Sequence, residues 1–363
     1  MTVPLDLDAN ATEPLRPAAR TALLAALEGG GNPSSIHGGG RTARRAVEAA
    51  RRAVATRFGV APGDVVFTSG GTEANAVALH GLGAGRRILV GATEHPAVQA
   101  AAPGAEILPV LADGTLDLAA LEAALAAGGP ALVCVMAANN ETGVLHPLGE
   151  VAALCRAHGA LLHVDAVQAA GRMAMDLAGW GAASVALSGH KLGGAPGAGA
   201  LILAPGLHLP ALIAGGGQER GRRGGTEPLP AIAALGGALE ESYDAPRIAA
   251  LREAIEVGLR ALDAGIIIAG QAAPRLPNTT LAVLPGVPAE TQVIALDLAG
   301  VRVSAGAACS SGKVTASPVL RAMGFGAEAG HGIRVSLPWN APEEAPQRFL
   351  AAYAAMLDRI RRR

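Results

Sequence analysis

The chain has 363 residues, of which half are hydrophobic and 16% are charged, so it can bury a large core and is not a disordered protein. A chain of this length is expected to divide into two domains. The formal net charge is −1 and aromatic residues make up only 2%, which argues against direct binding of nucleic acid, because neither a basic surface nor stacking platforms are available.

The apolar segments indicate buried strands and not membrane spans. The first ten residues include Asp6 and Asp8 and lack a basic start followed by an apolar run, so no signal peptide is expected there. Residues 131–138 form an apolar run that is too short to cross a bilayer. We therefore expect a cytoplasmic protein with no membrane partner.

From about residue 40 to residue 240, short β-rich runs alternate with helical patterns, which is typical of an α/β domain. The predicted strands are Val65–Thr68, Arg87–Val90, Ile107–Val110, Ala131–Ala137, Ala160–Val164, Ser184–Leu187 and Ala200–Leu203. The predicted helices in this part are Arg41–Arg57, Thr72–His80, Asp117–Ala126 and Leu148–His158.

A helix over Pro230–Tyr243, with a continuation through Arg260, is predicted to lead into a second domain. The elements expected in that domain are Gly265–Gly270, Thr279–Leu284, a helix at Glu290–Leu298 and a long terminal helix at Pro342–Arg361. We place residues 13–245 in a large domain and residues 246–363, together with 1–12, in a small one.

A glycine-rich turn follows the first of these strands. Val65–Phe67 runs into Thr68-Ser-Gly-Gly-Thr72, and a helix begins near Glu73. Backbone N–H groups and a helix N-terminus at such a turn can bind a phosphate, although no lysine follows as it would in an ATP-binding loop. A plain glycine turn with Thr72 as helix N-cap explains the pattern equally well.

Two further polar residues follow strands directly. Asp165 closes the run Ala160–Val164, at the edge where ligands of α/β sheets bind, and could pair with a cationic ring nitrogen or a metal. Lys191 follows Ser184–Leu187 and is flanked by small residues, where a desolvated amine can form a Schiff base. Taken singly, Asp165 could be a helix N-cap and Lys191 a surface charge.

The three cysteines lie far apart and lack the spacing of a metal site or of a disulfide framework. Cys309 is flanked by serine, glycine and alanine, which suggests an accessible, mobile loop and a nucleophilic thiol. Cys134 falls in a predicted strand and Cys155 in a predicted helix, where thiols are inert. An incidental loop cysteine remains an alternative for Cys309. His95 and the Asn139–Glu141 segment also fall at the sheet edge, as site residues or as turn residues.

In this order the segments resemble a cysteine desulfurase of the class V aminotransferase family. The strings that carry the resemblance are Leu7-Asp-Ala-Asn-Ala-Thr12, Asn32-Pro-Ser-Ser-Ile-His37, Thr68-Ser-Gly-Gly-Thr-Glu-Ala-Asn75, Glu94-His95-Pro96, Asn139-Asn-Glu-Thr-Gly143, His163-Val-Asp-Ala-Val-Gln168, Ser188-Gly-His-Lys191, Gly224-Gly-Thr226, Ala308-Cys-Ser310 and Ile333-Arg-Val-Ser-Leu337. One such string would be weak, but together they are specific and run nearly from end to end.

The resemblance implies a pyridoxal 5′-phosphate (PLP) enzyme of fold type I. Its large domain would contain a mainly parallel seven-stranded sheet, and its smaller domain would be α+β. Lys191 would bind PLP as a Schiff base. The residues implied to hold the phosphate are Gly71, Thr72, Ser188, His190 and, from the second subunit of a homodimer, Thr226.

The resemblance also implies roles around the cofactor ring and the substrate. Asp165 would pair with the pyridine nitrogen, Gln168 and Asn140 would lie near the phenolic oxygen, and His95 would stack on the ring and take part in catalysis. The substrate carboxylate would bind Arg334, beside Asn140. Finally, the sulfur of L-cysteine would pass to Cys309.

The implied activity gives L-alanine and a persulfide, which is delivered to an acceptor such as an iron–sulfur scaffold or a thiolation enzyme. The sequence departs from the family after Lys191, where a frequent lysine is missing, and at Pro338-Trp339, where many relatives have Gly-Arg. Selenocysteine lyase, cysteine-sulfinate desulfinase and a class V aminotransferase are the alternative activities. A PLP-binding protein without catalysis is less compatible with the complete residue set.

Overall fold

The computed structural model describes residues 4–306 and 316–362. The strands are β1 (Leu5–Asp6), β2 (Val65–Thr68), β3 (Arg87–Gly91), β4 (Glu106–Leu108), β5 (Ala131–Met136), β6 (Leu161–Asp165), β7 (Ser184–Ser188), β8 (Gly199–Leu203), β9 (Ile267–Ile268), β10 (Thr279–Val283), β11 (Val301–Arg302) and β12 (Gly332–Ser336). The helices are α1 (Pro17–Gly29), α2 (Gly38–Phe58), α3 (Gly71–Leu82), α4 (Pro96–Gln99), α5 (Leu118–Ala126), α6 (Leu148–Ala157), α7 (Leu177–Trp180), α8 (Leu229–Ala238), α9 (Ala245–Leu262), α10 (Ala289–Leu298), α11 (Pro318–Ala322) and α12 (Ala345–Arg361). Among these helices, none is both long and apolar enough to span a membrane.

The predicted seven-stranded, mainly parallel sheet is confirmed. Its strand order is β2-β8-β7-β6-β5-β3-β4, and β8 alone runs antiparallel to its two neighbours. Strands of parallel sheets are covered on both faces and therefore read as continuous apolar runs, as β5 and β7 do. The carboxyl ends of all strands except β8 meet at one edge of this sheet.

Both faces of the central sheet pack against helices. Along β5, Val133 and Val135 belong to a core under α1, α2 and α8, whereas Leu132 and Cys134 belong to a core under α3. This separation follows from the alternation of side chains along a strand. The sheet is therefore a rigid layer that holds the loops at its carboxyl edge.

A separate core lies around the antiparallel strands β10 and β12. It contains Ile248, Phe349 and Tyr353 from the C-terminal helices and Leu5 and Leu7 from the N-terminus. This grouping supports, but does not test, the predicted division at residues 245 and 246 with residues 1–12 in the small domain. The division remains a proposal.

The predicted continuous helix from Pro230 to Arg260 is wrong. Helix α8 ends at Ala238 and α9 begins at Ala245, where the Asp244 side chain accepts the N–H of Arg247. Pro246 in the first turn of α9 explains the break, because a proline inside a helix lacks the N–H and clashes with the preceding turn. Helices α1, α4, α7 and α11 and strands β1, β11 and β12 were not predicted from the sequence.

Candidate active site

A cavity of about 810 Å³ opens at the carboxyl edge of the central sheet. Its walls come from the loops after β2, β3, β5, β6 and β7 and from β12 of the second core. The predicted site residues that line it are Gly71, Thr72, His95, Asn140, Asp165, Gln168, Ser188, His190, Lys191 and Arg334. Residues far apart in the sequence thus meet in one place, as expected for an α/β sheet.

Two predicted residues are not among the walls of this cavity. Thr226 is exposed and does not line it. Cys309 lies outside the described residues, although Gly306 and Pro318, before and after it in sequence, both line the cavity. A smaller cavity of about 310 Å³ lies at the opposite sheet edge, beside α6 and the starts of β6 and β7.

The turn between β2 and α3 leaves a helix N-terminus open towards the cavity. Gly70 is the N-cap residue and no side chain caps the helix, so the alternative of Thr72 as N-cap is wrong. A Cβ at Gly71 would lie 2.6 Å from Val167 Cγ2, which explains why glycine is needed at this close approach. The first N–H groups of a helix have no partner within it and can bind an anion.

Lys191 lies in a 3₁₀ turn directly after β7. Its Nζ donates hydrogen bonds to the backbone carbonyls of Asn10 at 2.5 Å and Ala11 at 2.8 Å. Burial, together with the positive charges of Arg334 and Arg172, lowers the pKa of Lys191 to about 8. The amine is therefore available in its free-base form close to neutral pH.

Asp165 is the last residue of β6, and its carboxylate is buried at the floor of the cavity. Oδ2 accepts a hydrogen bond from Asn75 Nδ2 at 2.7 Å, and Oδ1 accepts one from the N–H of Val167 at 2.9 Å. Burial raises the pKa of Asp165, which these donors partly counteract. The carboxylate accepts the N–H of the following turn and lines the cavity, but no helix begins there, so the alternative of a helix N-cap is wrong.

His95 caps the short helix α4. Its Nδ1 accepts the N–H of Ala97 at 3.1 Å, so the neutral ring carries its proton on Nε2. Burial lowers the pKa of His95, as does the charge of Lys191. The ring is thus a neutral hydrogen-bond donor on the cavity wall.

Arg334 of β12 is oriented from two sides. Its Nη2 donates to Asp8 Oδ1 at 2.6 Å, and its Nη1 donates to the carbonyl of Asn140 at 3.1 Å. Nε is buried and has no partner among residues 4–306 and 316–362. Each Nη carries a second N–H, and Arg334 lines the cavity, so these donors can serve an anionic ligand there.

Gln168 is engaged on both sides of its amide. Nε2 donates to the carbonyl of Asn10 at 3.0 Å, and Oε1 accepts a short hydrogen bond from Arg172. Arg172 in turn forms a buried ion pair with Glu13 at 2.8 Å.

His190 contacts Thr12 through its Nδ1 at 3.2 Å, and burial lowers the pKa of His190 to about 4.

Several residues of the cavity were not predicted from the sequence, among them Asn10, Asn75 and Glu94. Asn75 stands four residues after Gly71 on α3, and this helical spacing was the available signal. Glu94 accepts the N–H of Met136 at 2.5 Å with Oε1, while its buried Oε2 has no described partner. Burial and the nearby Asp165 raise the pKa of Glu94 well above its usual range.

The part of the chain that the structure describes contains no group of three or more histidine, cysteine, aspartate or glutamate residues that could hold a metal. A metal at Asp165 thus has no ligand set within that part.

The aminotransferase class-V family model matches residues 6–349. A cysteine desulfurase from Cereibacter sphaeroides is 42% identical over 98% of this chain and 96% of its own length. An IscS-like cysteine desulfurase from Mycobacterium tuberculosis is 34% identical over 98% of this chain and 97% of its own length. A solved NifS-like protein from Rickettsia africae matches with a TM-score of 0.91 and 33% identity, covering 98% of this chain and 99% of that one. SspA, solved in complex with cysteine, matches with a TM-score of 0.79 and 27% identity over 92% of this chain and 99% of its own.

Proposed function

We infer that this chain, which belongs to the class-V aminotransferase family and within it to the cysteine desulfurases, uses Lys191 to hold PLP and Cys309 to take sulfur from L-cysteine. The observation that carries the inference is the position of Lys191. Its amine has a lowered pKa and lies in the same cavity as an open helix N-terminus and a buried carboxylate. These are the groups that an aldehyde, a phosphate and a cationic ring nitrogen require.

The residues present fit PLP. The N–H groups of Gly71 and Thr72 at the start of α3 have no partner within the helix, and Ser188 and His190 line the same cavity, so these four residues would hold the phosphate. Lys191 binds the aldehyde carbon. Burial raises the pKa of the Asp165 carboxyl group, which would pair with the ring nitrogen. His95, Gln168 and Asn140 line the same cavity, where His95 would stack on the ring and the two amides would lie near the phenolic oxygen.

Bound PLP supplies an electron sink for negative charge on the α-carbon of an amino acid. The chain supplies the groups around it. Lys191, with its pKa of about 8, would hold the cofactor through its free amine and can carry the α-proton on Nζ. His95 acts as a donor from Nε2, because Ala97 occupies its other nitrogen.

Arg334 binds the substrate carboxylate. Asp8 and Asn140 already fix the plane of the guanidinium, and the second N–H of each Nη provides a donor for the incoming anion. A fixed guanidinium loses little conformational entropy on binding, which favours one orientation of the amino acid.

Cys309 accepts the sulfur. Its thiolate attacks the sulfur atom of bound cysteine, an S–S bond forms, and the β-carbon–sulfur bond breaks. The electron pair of that bond goes to the carbon side, which takes up protons and leaves as L-alanine. A persulfide remains on Cys309, for transfer to an iron–sulfur scaffold or a thiolation enzyme. The support for Cys309 is its sequence context and the lining of the cavity by Gly306 and Pro318.

The active form is a cytoplasmic homodimer in this proposal. Thr226 is exposed and stands apart from the cavity of its own chain, which supports a role at the phosphate of the second subunit. The cytoplasmic location and the choice of sulfur acceptor in this proposal rest on the sequence alone.

The activity is tested by incubating the purified protein with L-cysteine and reductant and measuring alanine and sulfide. Cys309→Ser should retain PLP at the wild-type level but lower alanine release at least about a hundredfold, because the nucleophile of the transfer is gone. Cys155→Ala is the matched control, since burial raises the pKa of this core thiol to about 11.

Wild-type alanine release by Cys309→Ser would remove Cys309 from the mechanism. Borohydride should also fix the cofactor to the peptide that contains Lys191, and Lys191→Ala should abolish this labelling. Release of selenide from selenocysteine with no sulfide from cysteine would instead indicate a selenocysteine lyase.

A further inference from the structure

A chain of buried polar side chains runs from Asp165 into the core. Asn75 Nδ2 donates to Asp165 Oδ2 at 2.7 Å, and Asn75 Oδ1 faces His163 Nε2 at 2.9 Å. His163 Nδ1 in turn faces the hydroxyl of Ser184 at 2.7 Å. Asn75, His163 and Ser184 are each at most 1% exposed, so no solvent competes with these hydrogen bonds.

The fold builds this chain from three elements. His163 stands two residues before Asp165 on β6 and therefore on the same face of the sheet. Ser184 is its direct neighbour on β7, and Asn75 reaches down from α3. None of these residues belongs to the set that the sequence analysis assigned to PLP or to the substrate.

The direction of every hydrogen bond follows from the charge of Asp165. An ionised carboxylate only accepts, so Asn75 must turn its NH₂ group towards Asp165 and its oxygen towards His163. His163 must then donate from Nε2 and accept the Ser184 proton at Nδ1. Burial lowers the pKa of His163 to about 4, so the ring is neutral and carries one proton, on one of its two nitrogens.

We propose that Asn75, His163 and Ser184 are positioning residues that hold Asp165 as an ionised carboxylate, turned towards the ring nitrogen of the cofactor. This inference rests on the proposed function. Burial by itself favours the protonated form of Asp165, and a protonated Asp165 would not keep a pyridine nitrogen charged. The N–H of Val167 opposes that tendency, and so does the Asn75 donor, whose own orientation is fixed by His163.

The test uses holoenzyme loaded with PLP that is ¹⁵N-labelled at the ring nitrogen, whose chemical shift reports protonation. In Asn75→Leu and His163→Leu the ring nitrogen should lose its proton in at least half of the molecules, and PLP should dissociate about tenfold faster or more, because a hydrogen bond to a charged group is lost. His163→Gln should stay within about twofold of wild type, since its amide can replace the Nε2–H donor.

Wild-type chemical shift and wild-type PLP release in folded Asn75→Leu and His163→Leu would overturn the proposal. Equal defects in His163→Gln and His163→Leu would likewise overturn it, because shape and not the N–H would then matter. Asn75→Ala, which only removes atoms, replaces Asn75→Leu if that variant does not fold. A wild-type protein that binds no PLP would instead contradict the proposed function itself.

Discussion

Arg334 carries a positive charge into a cavity that must accept an amino acid. Its side chain is 4% exposed, and the nearby Asp8 is 29% exposed and lies 2.6 Å away. The partly exposed carboxylate of Asp8 neutralises part of the charge and fixes the guanidinium plane while it uses only one N–H of Nη2. Binding of a substrate carboxylate then requires little rearrangement.

Arg334→Lys should raise the KM for L-cysteine about tenfold or more while PLP occupancy stays at the wild-type level. Lysine keeps the charge but loses the planar fork and the Nε donor. Steady-state kinetics and cofactor absorbance measure the two quantities. Arg302→Lys is the control, because Arg302 is 57% exposed and only 3.8 Å from Asp6 in a surface pair. An unchanged KM in Arg334→Lys would remove this residue from the substrate site.

The residues that sequence could identify are those that directly follow an apolar strand. Asp165 and Lys191 do so, and the topology of a parallel sheet then brings them together. Asn75 sits inside a helix, where only packing decides which face meets the cavity. Glu94 is held in the cavity by the hydrogen bond that its Oε1 accepts from the N–H of Met136. The two residues are far apart in the sequence, so no local pattern encodes this contact.

At the scale of elements, the position of the start of α3 depends on close packing as well as on hydrogen bonding. Gly71 packs so closely that a Cβ there would meet Val167 Cγ2 at 2.6 Å and Ser188 Cβ at 3.4 Å. Alanine stabilises a helix by about 1 kcal/mol relative to glycine. Any loss of stability or of PLP binding in Gly71→Ala must therefore come from this contact.

Gly71→Ala should therefore weaken PLP retention about tenfold or more with little loss of thermal stability in the cofactor-free protein, because a displaced Val167 and helix start no longer match the phosphate. Equilibrium dialysis against PLP and thermal melting give the two values. Gly149→Ala in α6 is the matched control, since a Cβ there meets nothing within 4 Å. Equal PLP retention in Gly71→Ala and Gly149→Ala would argue against the phosphate site.

The sheet strands could be predicted because buried parallel strands are continuous apolar runs. Helix α1 could not, because only Ala19 and Ala26 of its residues are buried and its pattern is weak. The short strands β1 and β11 pair with each other across almost the whole chain, and so distant a pairing leaves no local signal.

At the scale of the whole molecule, buried histidines set the response to acid. Burial lowers the pKa of His146 and of His163 to about 4, from the usual 6.5. Between these pH values the unfolded chain binds more protons than the folded one, so the free energy of unfolding falls as pH falls. The maximum slope is about 1.4 kcal/mol per pH unit for each histidine.

His146→Asn should make the protein less sensitive to acid between pH 6.5 and 4. Asparagine can still accept the N–H of Leu116, which donates to His146 Nδ1 at 3.1 Å, but it does not titrate. Urea unfolding across this range should show a shallower decline for the variant. The raised pKa of Glu94 has the opposite effect on the free energy of unfolding. Because Glu94 is present in both proteins, its contribution cancels in the comparison. Parallel declines would show that His146 is not the group that titrates.

The last prediction concerns how two chains share one site. If Thr226 serves the neighbouring subunit, then mixing Lys191→Ala with Thr226→Val places both defects in one site of a mixed dimer and leaves the other site intact. Random 1:1 mixing should restore about a quarter of the wild-type activity, because half of the dimers are mixed and each has one working site. The measurement is alanine release by co-expressed, differently tagged chains, with each single variant as control. If Thr226 instead serves its own chain, every site in a mixed dimer is defective. Absence of activity in purified mixed dimers would therefore contradict sharing, and the exposed position of Thr226 would need another explanation.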